Sequence, residues 1–248
     1  MTSDSPSPAS ELPAGARPRR GVWPFLRDVL IILVIAVLVS FLVKTFLVRS
    51  FYIPSGSMQN TLQEQDRILV DELTPRFGGY DRGDVVVFRD PGGWLPVTYD
   101  PPQPPLAEAL EWVTGLVGLT ASDSEEHLIK RIVGMPGDTV VCCNALGQVT
   151  VNGIPIDETP YLKLTDAQSA PREVTYEVTV PEDSVWVLGD NRDNSQDSRF
   201  HQDQPGGGFV PLENIVGRAF VKTWPLDRLG PIDGHHEVFR GVPYRDVP

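Results

Sequence analysis

The chain opens on "MTSDSPSPASELPAGARPRR", rich in Pro, Ser and Ala and without any apolar period. Composition of that kind buries too little surface to order a backbone. Residues 1–22 are therefore expected to form a disordered tail. The pattern then changes abruptly. From Trp23 to Val48 apolar residues occur on every side of a helical wheel, and Val29 to Val43 holds no charged residue. In helical form Val29 to Val48 spans about 30 Å, the hydrocarbon thickness of a bilayer. Lys44 can carry its amine to the interface on a buried stem. A helix of a soluble core would be apolar along one stripe only. A cleaved secretory signal would end on a small-x-small site, whereas this run exits as "KTFLVRSFYIP". Residues 23–48 thus read as a transmembrane anchor. Arg17, Arg19, Arg20 and Arg27 outnumber Lys44 and Arg49 around it. That bias predicts a cytoplasmic amino terminus and an extracytoplasmic remainder.

Beyond residue 49 the period shortens. "RILVDEL", "DVVVFRD", "HLIKRIVG", "DTVVCC", "QVTVNG", "SVWVLGD" and "NIVGRAFV" are short runs of β-branched and aromatic residues separated by Gly, Pro, Asp and Asn, the pattern of strands and turns. Asn152-Gly153 and Met135-Pro136-Gly137-Asp138 are strong turn signals. The expected fold is mainly β, a mixed antiparallel sheet or partial barrel over residues 49–224, preceded by one membrane helix. Residues 91–127 break the rhythm: a Pro/Gly-rich stretch, then "LAEALEWVTGLVGLT", a candidate amphipathic helix, then acidic "SDSEEH". They read as an insertion, a flap or lid with an edge suited to lipid. Residues 225–248 read as a polar tail.

Composition narrows the function classes. A formal net charge of -12 argues against a nucleic-acid binder, which carries a basic stripe. The two cysteines, Cys142 and Cys143, are adjacent. A trans peptide sets neighbouring Cα atoms about 3.8 Å apart, below the usual disulfide range, so a bridge between them would be strained; a pair of strand-end thiols is the expectation, and a redox-active vicinal pair its alternative. No Cys/His spacing suggests zinc. Asp193, Ser195 and Asp197 alternate as in a calcium loop, but the required glycine and glutamate are missing. No metal or organic cofactor is expected.

Three stretches carry candidate chemistry. In "PSGSM" a proline and a glycine set a tight turn that can present the Ser57 hydroxyl. Ser57 follows Val48 by nine positions, so it lies within roughly 30 Å of the bilayer edge. Alone, Ser-Gly-Ser also suits an ordinary turn. A serine hydroxyl needs a base, and none of the four histidines sits in a hydrolase motif. In "HLIKRIVG" strand alternation puts Leu128, Lys130 and Ile132 on one face and Ile129, Arg131 and Val133 on the other. An amine buried between two apolar side chains loses its charge more readily; an edge lysine guarding against aggregation fits the same letters. "GDNRDNSQDSRF" supplies Asp190, Arg192, Asp193, Ser195, Asp197 and Arg199, more polar groups than a turn requires.

An anchor, then "PSGSM", then "KRIVGMPGDTV", then "GDNRDNSQDSR", in that order, resembles the bacterial type I signal peptidases. The resemblance runs from about residue 25 to 222, interrupted by 91–127. It implies a membrane-bound serine endopeptidase that removes signal peptides from secretory preproteins after small-x-small sites. By position it makes Ser57 the nucleophile and Lys130 its general base. Ser55, with the Ser57 N–H, would form the oxyanion hole. It further implies that Ser195 orients the lysine, that Asp197 pairs with Arg199, and that Asp190 faces Arg131. Phe51, Ile53, Met58, Leu128 and Ile129 would line shallow substrate pockets. Gln59-Asn60 departs from the family's usual pair, which often ends in proline. The competing expectation is a non-catalytic, membrane-tethered β-domain that binds partners.

Overall fold

The computed structural model describes residues 22–46, 48–95, 127–163 and 174–244. The expected tail up to residue 21 and most of the insertion, 96–126, lie outside the described residues. The chain forms two compact units, one up to Ser40 and one from Phe41 onward. Helix α1, Val22–Phe46, contains the stretch Val22–Val39, which is long and apolar enough to cross a membrane. Its large apolar side chains there are exposed, as befits a membrane anchor.

The second unit is built on two antiparallel sheets. Its strands are β1 (Val48–Tyr52), β2 (Arg67–Asp71), β3 (Val85–Arg89), β4 (His127–Gly134), β5 (Thr139–Cys142), β6 (Thr150–Val151), β7 (Ile154–Pro155), β8 (Tyr176–Thr179), β9 (Ser184–Leu188), β10 (Val210–Pro211), β11 (Ile215–Trp224) and β12 (Gly230–Pro231). The larger sheet runs β1-β2-β11-β3-β4-β9-β10, with β12 added to β11; the smaller runs β7-β6-β5-β8. The larger sheet does not close into a barrel.

Burial explains the order. β9, "SVWVL", is buried along its whole length, and the apolar residues of β3, "VVVF", are buried too. Strands covered on both faces need such unbroken apolar runs. One cluster joins Phe51, Ile53, Met58, Leu62, Val85 and Ile129. Another joins Val86, Phe88, Ile132 and Val187. The third, between the sheets, includes Val133, Val140, Trp186 and Leu188. Successive residues of β4 thus feed different clusters, which is the alternation read from its letters.

The hairpin β6–β7 turns on Asn152 and Gly153, both at positive φ (54° and 80°), as a two-residue primed turn requires. The cysteine expectation is corrected: Cys142 and Cys143 are joined in a disulfide, their Cα atoms 3.0 Å apart across a cis peptide, where the expectation rests on trans spacing. The segment read as a polar tail is described as far as Tyr244 and packs on the domain. β12 pairs with β11, and Phe239 and Val242 are buried in the inter-sheet cluster.

Candidate active site

The turn after Pro54 is a short 3-10 helix, Gly56–Met58, whose three residues are all buried. Met58 sinks into the apolar cluster and fixes the turn from below. The turn is also held from the side. Asn191 donates its backbone N–H to the Ser57 carbonyl (3.0 Å) and its side-chain amide to the Gly56 carbonyl (3.0 Å). Ser55 stands exposed and extended just before it, its Oγ 3.4 Å from that of Ser57.

Lys130 comes from β4, paired with Val86 of β3. Only 3% of its surface is exposed. Its Nζ donates to Ser57 Oγ at 3.0 Å and to the Ile129 carbonyl at 3.0 Å. Burial is the largest influence on this amine and lowers its pKa from 10.5 to about 8, against the opposing pull of the Asp197 and Asp190 carboxylates. Near neutrality a useful fraction is uncharged and able to accept a proton.

The loop from Gly189 to Phe200 wraps the pair with buried ion pairs. Asp190 takes both forks of the Arg131 guanidinium, at 2.8 and 2.9 Å, and also accepts from the Thr61 hydroxyl. Burial would lower the Arg131 pKa, but Asp190 outweighs it and the value rises. Asp197 is bridged in the same way by Arg199, at 2.8 and 2.9 Å, and receives the Gly189 N–H at 3.0 Å. Burial would raise its carboxyl; these partners prevail and lower it. Planar two-pronged pairs of this sort set direction as well as charge.

Ser195 is buried against Gly189, where its hydroxyl helps to lower the Asp197 carboxyl; the hydrogen bonds of Lys130 Nζ go instead to Ser57 and the Ile129 carbonyl. A Cβ on Gly189 would collide with the Ser195 hydroxyl and lie 2.6 Å from the Ser57 carbonyl oxygen. Of the five residues expected to line substrate pockets, Phe51, Ile53, Met58 and Ile129 share one cluster, while Leu128 packs with another.

Several contributors left no mark in the sequence pattern. Glu158 pairs with the Arg192 guanidinium, accepts from Tyr161 Oη, and so steadies Arg192 Nε on the Gly189 carbonyl (2.9 Å). Tyr161 lies under the Arg131 guanidinium, 4.3 Å from it. Trp94, at the root of the insertion, stacks on His201 just past the loop, with ring centres 4.3 Å apart. Their only signals are isolated letters far apart in the chain. Among the described residues, the group spaced to hold a metal is Asp233, His235 and Glu237. None of these belongs to the Ser57–Lys130 pair.

A serine hydroxyl bonded to a buried lysine of depressed pKa, on a β scaffold in a chain with an apolar amino-terminal helix, is the equipment of a membrane-anchored serine hydrolase. A family model described as "Signal peptidase, peptidase S26" matches residues 26–224. Signal peptidase I of Mycobacterium tuberculosis (strain H37Rv) is 38% identical over 226 residues, covering 84% of this chain and 75% of that protein. Signal peptidase I of Leptolyngbya laminosa is 34% identical over 232 residues, covering 93% and 95%. The chain belongs to the signal peptidase family, peptidase S26, and is a hydrolase of its serine endopeptidase class. A crystal structure of a signal peptidase I from Enterococcus faecalis aligns with a TM-score of 0.35 at 21% identity, over 56% of this chain and 95% of that one.

Proposed function

We propose that this signal peptidase removes amino-terminal signal peptides from secretory preproteins by cleaving after small-x-small sites, with Ser57 and Lys130 as its reacting pair. The observation that carries the reading is the 3.0 Å hydrogen bond between Lys130 Nζ and Ser57 Oγ in a buried setting. Uncharged Lys130 takes the Ser57 proton as the oxygen attacks the scissile carbonyl. The developing oxyanion is held by the Ser57 N–H and the Ser55 hydroxyl, donors of a kind worth about 2.7–4 kcal/mol each. The lysine returns its proton to the leaving amine, the new amino terminus of the mature protein. Water, deprotonated by the same amine, then hydrolyses the acyl-enzyme and frees Ser57.

The small-residue preference is assigned to the apolar cluster of Phe51, Ile53, Met58 and Ile129 that underlies the Ser57 turn; against such a wall an alanine methyl group fits where a larger side chain clashes. The apolar helix anchors the chain with its amino terminus in the cytoplasm and the peptidase domain outside, in reach of a preprotein still held in the bilayer. The test is incubation of the detergent-solubilised chain with a precursor bearing an Ala-x-Ala site. A single new amino terminus directly after the second alanine is expected. An intact precursor, or cleavage at unrelated sites, defeats the reading.

A further inference from the structure

The family match ends at Trp224, yet the chain beyond it is built into the site's support. After β12, Ile232 N–H bonds the Phe220 carbonyl (2.9 Å). The carbonyls of Asp233 and Gly234 then accept from Arg131 Nη1, at 3.1 and 3.0 Å, beside the Gly83 carbonyl at 2.7 Å. This is the guanidinium whose other nitrogens grip Asp190, and it follows Lys130 directly in β4.

The contact depends on a missing side chain. Gly83 has φ +98°, and a Cβ there would run into the Gly234 carbonyl. Farther on, Phe239 and Val242 enter the inter-sheet core. The Arg82 guanidinium, locked to Asp138 at 2.7 Å through each of two nitrogens, reaches the carbonyls of Val242 (3.2 Å) and Pro243 (3.0 Å) and lies 4.3 Å from the Tyr244 ring. His236 Nδ1 lies 2.9 Å from the Arg82 carbonyl oxygen.

We propose that the segment Gly230–Tyr244 is a positioning strap for Ser57 and Lys130: its two carbonyls complete the seat of Arg131, hold Asp190 and its loop in place, and close that side of the site to water. Buried guanidinium N–H groups left without acceptors draw in water or move. Either outcome displaces Arg131 and the strand position before it. Reacting groups tolerate little displacement, and a shift of about 1 Å can cost as much as about 100-fold in rate. The strap touches neither reacting atom, so its effect should fall on turnover and not on precursor binding.

The proposal rests on Ser57 and Lys130 being the reacting pair. Its test uses the full chain with Gly83→Ala, Phe239→Ala and Phe239→Leu, assayed on the Ala-x-Ala precursor per folded molecule. Gly83→Ala and Phe239→Ala should lower kcat about tenfold or more at a KM within about twofold of the parent. Both should also move the midpoint of the pH–rate profile upward, since water admitted near Lys130 restores the charged amine that the Asp190 and Asp197 carboxylates favour; His201, whose pKa is lowered mainly by burial and slightly by the lysine's charge, is a further titrating group within its influence. Phe239→Leu should return both readouts toward the parent. A lowered melting temperature with unchanged kcat and midpoint overturns the proposal and leaves the strap a packing element. Failure of both disruptive variants to fold has the same meaning. No cleavage by the parent chain removes the reading of Ser57 and Lys130, and the strap's role with it; cleavage by the parent matched by both variants removes the strap's role alone.

Discussion

Lys130 Nζ lies 3.0 Å from Ser57 Oγ, although the two residues are 73 positions apart in the chain. The bond joins a strand to a turn that is itself clamped by Met58 below and Asn191 at the side. Both partners are buried. Replacing Ser57 by Ala removes the attacking oxygen; replacing Lys130 by Ala removes the base. Each should lower precursor cleavage by about 10³-fold or more, and the double variant should be little worse than either single one. Substantial activity in Lys130→Ala, measured as mature product over time, would assign the base to another group.

The same burial makes Lys130 costly to the fold. Its folded pKa of about 8 lies below the ordinary 10.5, so between those values the unfolded chain binds more protons than the folded one. Stability therefore rises with pH across that window, and the buried ammonium weighs on the fold below about 8. The difference corresponds to roughly 3 kcal/mol. Lys130→Met should thus be inactive yet melt higher than the parent at pH 7, with the gap narrowing toward pH 10.5. Thermal unfolding followed by circular dichroism across that range checks it; a variant less stable at pH 7 contradicts it.

Gly189 is the point where the polar loop meets the nucleophile turn. A methyl group there meets the Ser195 hydroxyl and the Ser57 carbonyl at once, and backbone and buried neighbours leave no slack. Gly189→Ala should cut kcat about tenfold or more while the far side of the domain stays folded. Steady-state kinetics against the precursor decide it, with parental kcat as the outcome that contradicts crowding at this position.

Asp190 and Arg131 are both essentially fully buried. Asp190→Ala strands the guanidinium without its carboxylate, an arrangement that costs about 3–5 kcal/mol. Denaturant unfolding should show a loss of that order, whereas the exposed Arg27–Asp28 pair on α1 should be removable without measurable effect on the peptidase domain. Equal, small effects would mean that the buried pair is solvated in solution.

How much of the molecule is legible in the letters depends on distance along the chain. The amino-terminal apolar helix is legible because the run from Val29 to Val43 is uncharged and apolar on all sides, a composition that fits a membrane anchor. β4 is legible because its apolar residues alternate between clusters, Leu128 and Ile132 in one and Ile129 and Val133 in others, and the same alternation places Lys130 and Arg131 on opposite faces. The partnerships are not. Glu158 meets Arg192, 34 positions away, and nothing local to "IDETPY" hints at it. The strap is hidden because Arg131 bonds its backbone carbonyls, which every residue has, and because Phe239 and Val242 are single apolar anchors in a polar stretch without a period. Leu128 and Ile129 are grouped as pocket residues by resemblance, although adjacent residues of a strand face opposite ways.

Catalysis as proposed stands on the uncharged state of one amine, and that state can be observed directly. In the full chain labelled with 15N-lysine, the Lys130 Nζ resonance, assigned through Lys130→Met, can be followed from pH 6 to 11 alongside the rate of precursor cleavage. The lysine should titrate near pH 8, and cleavage should rise with the same midpoint. A lysine that keeps its proton to the ordinary value near 10.5 while cleavage has already reached its plateau would contradict the mechanism.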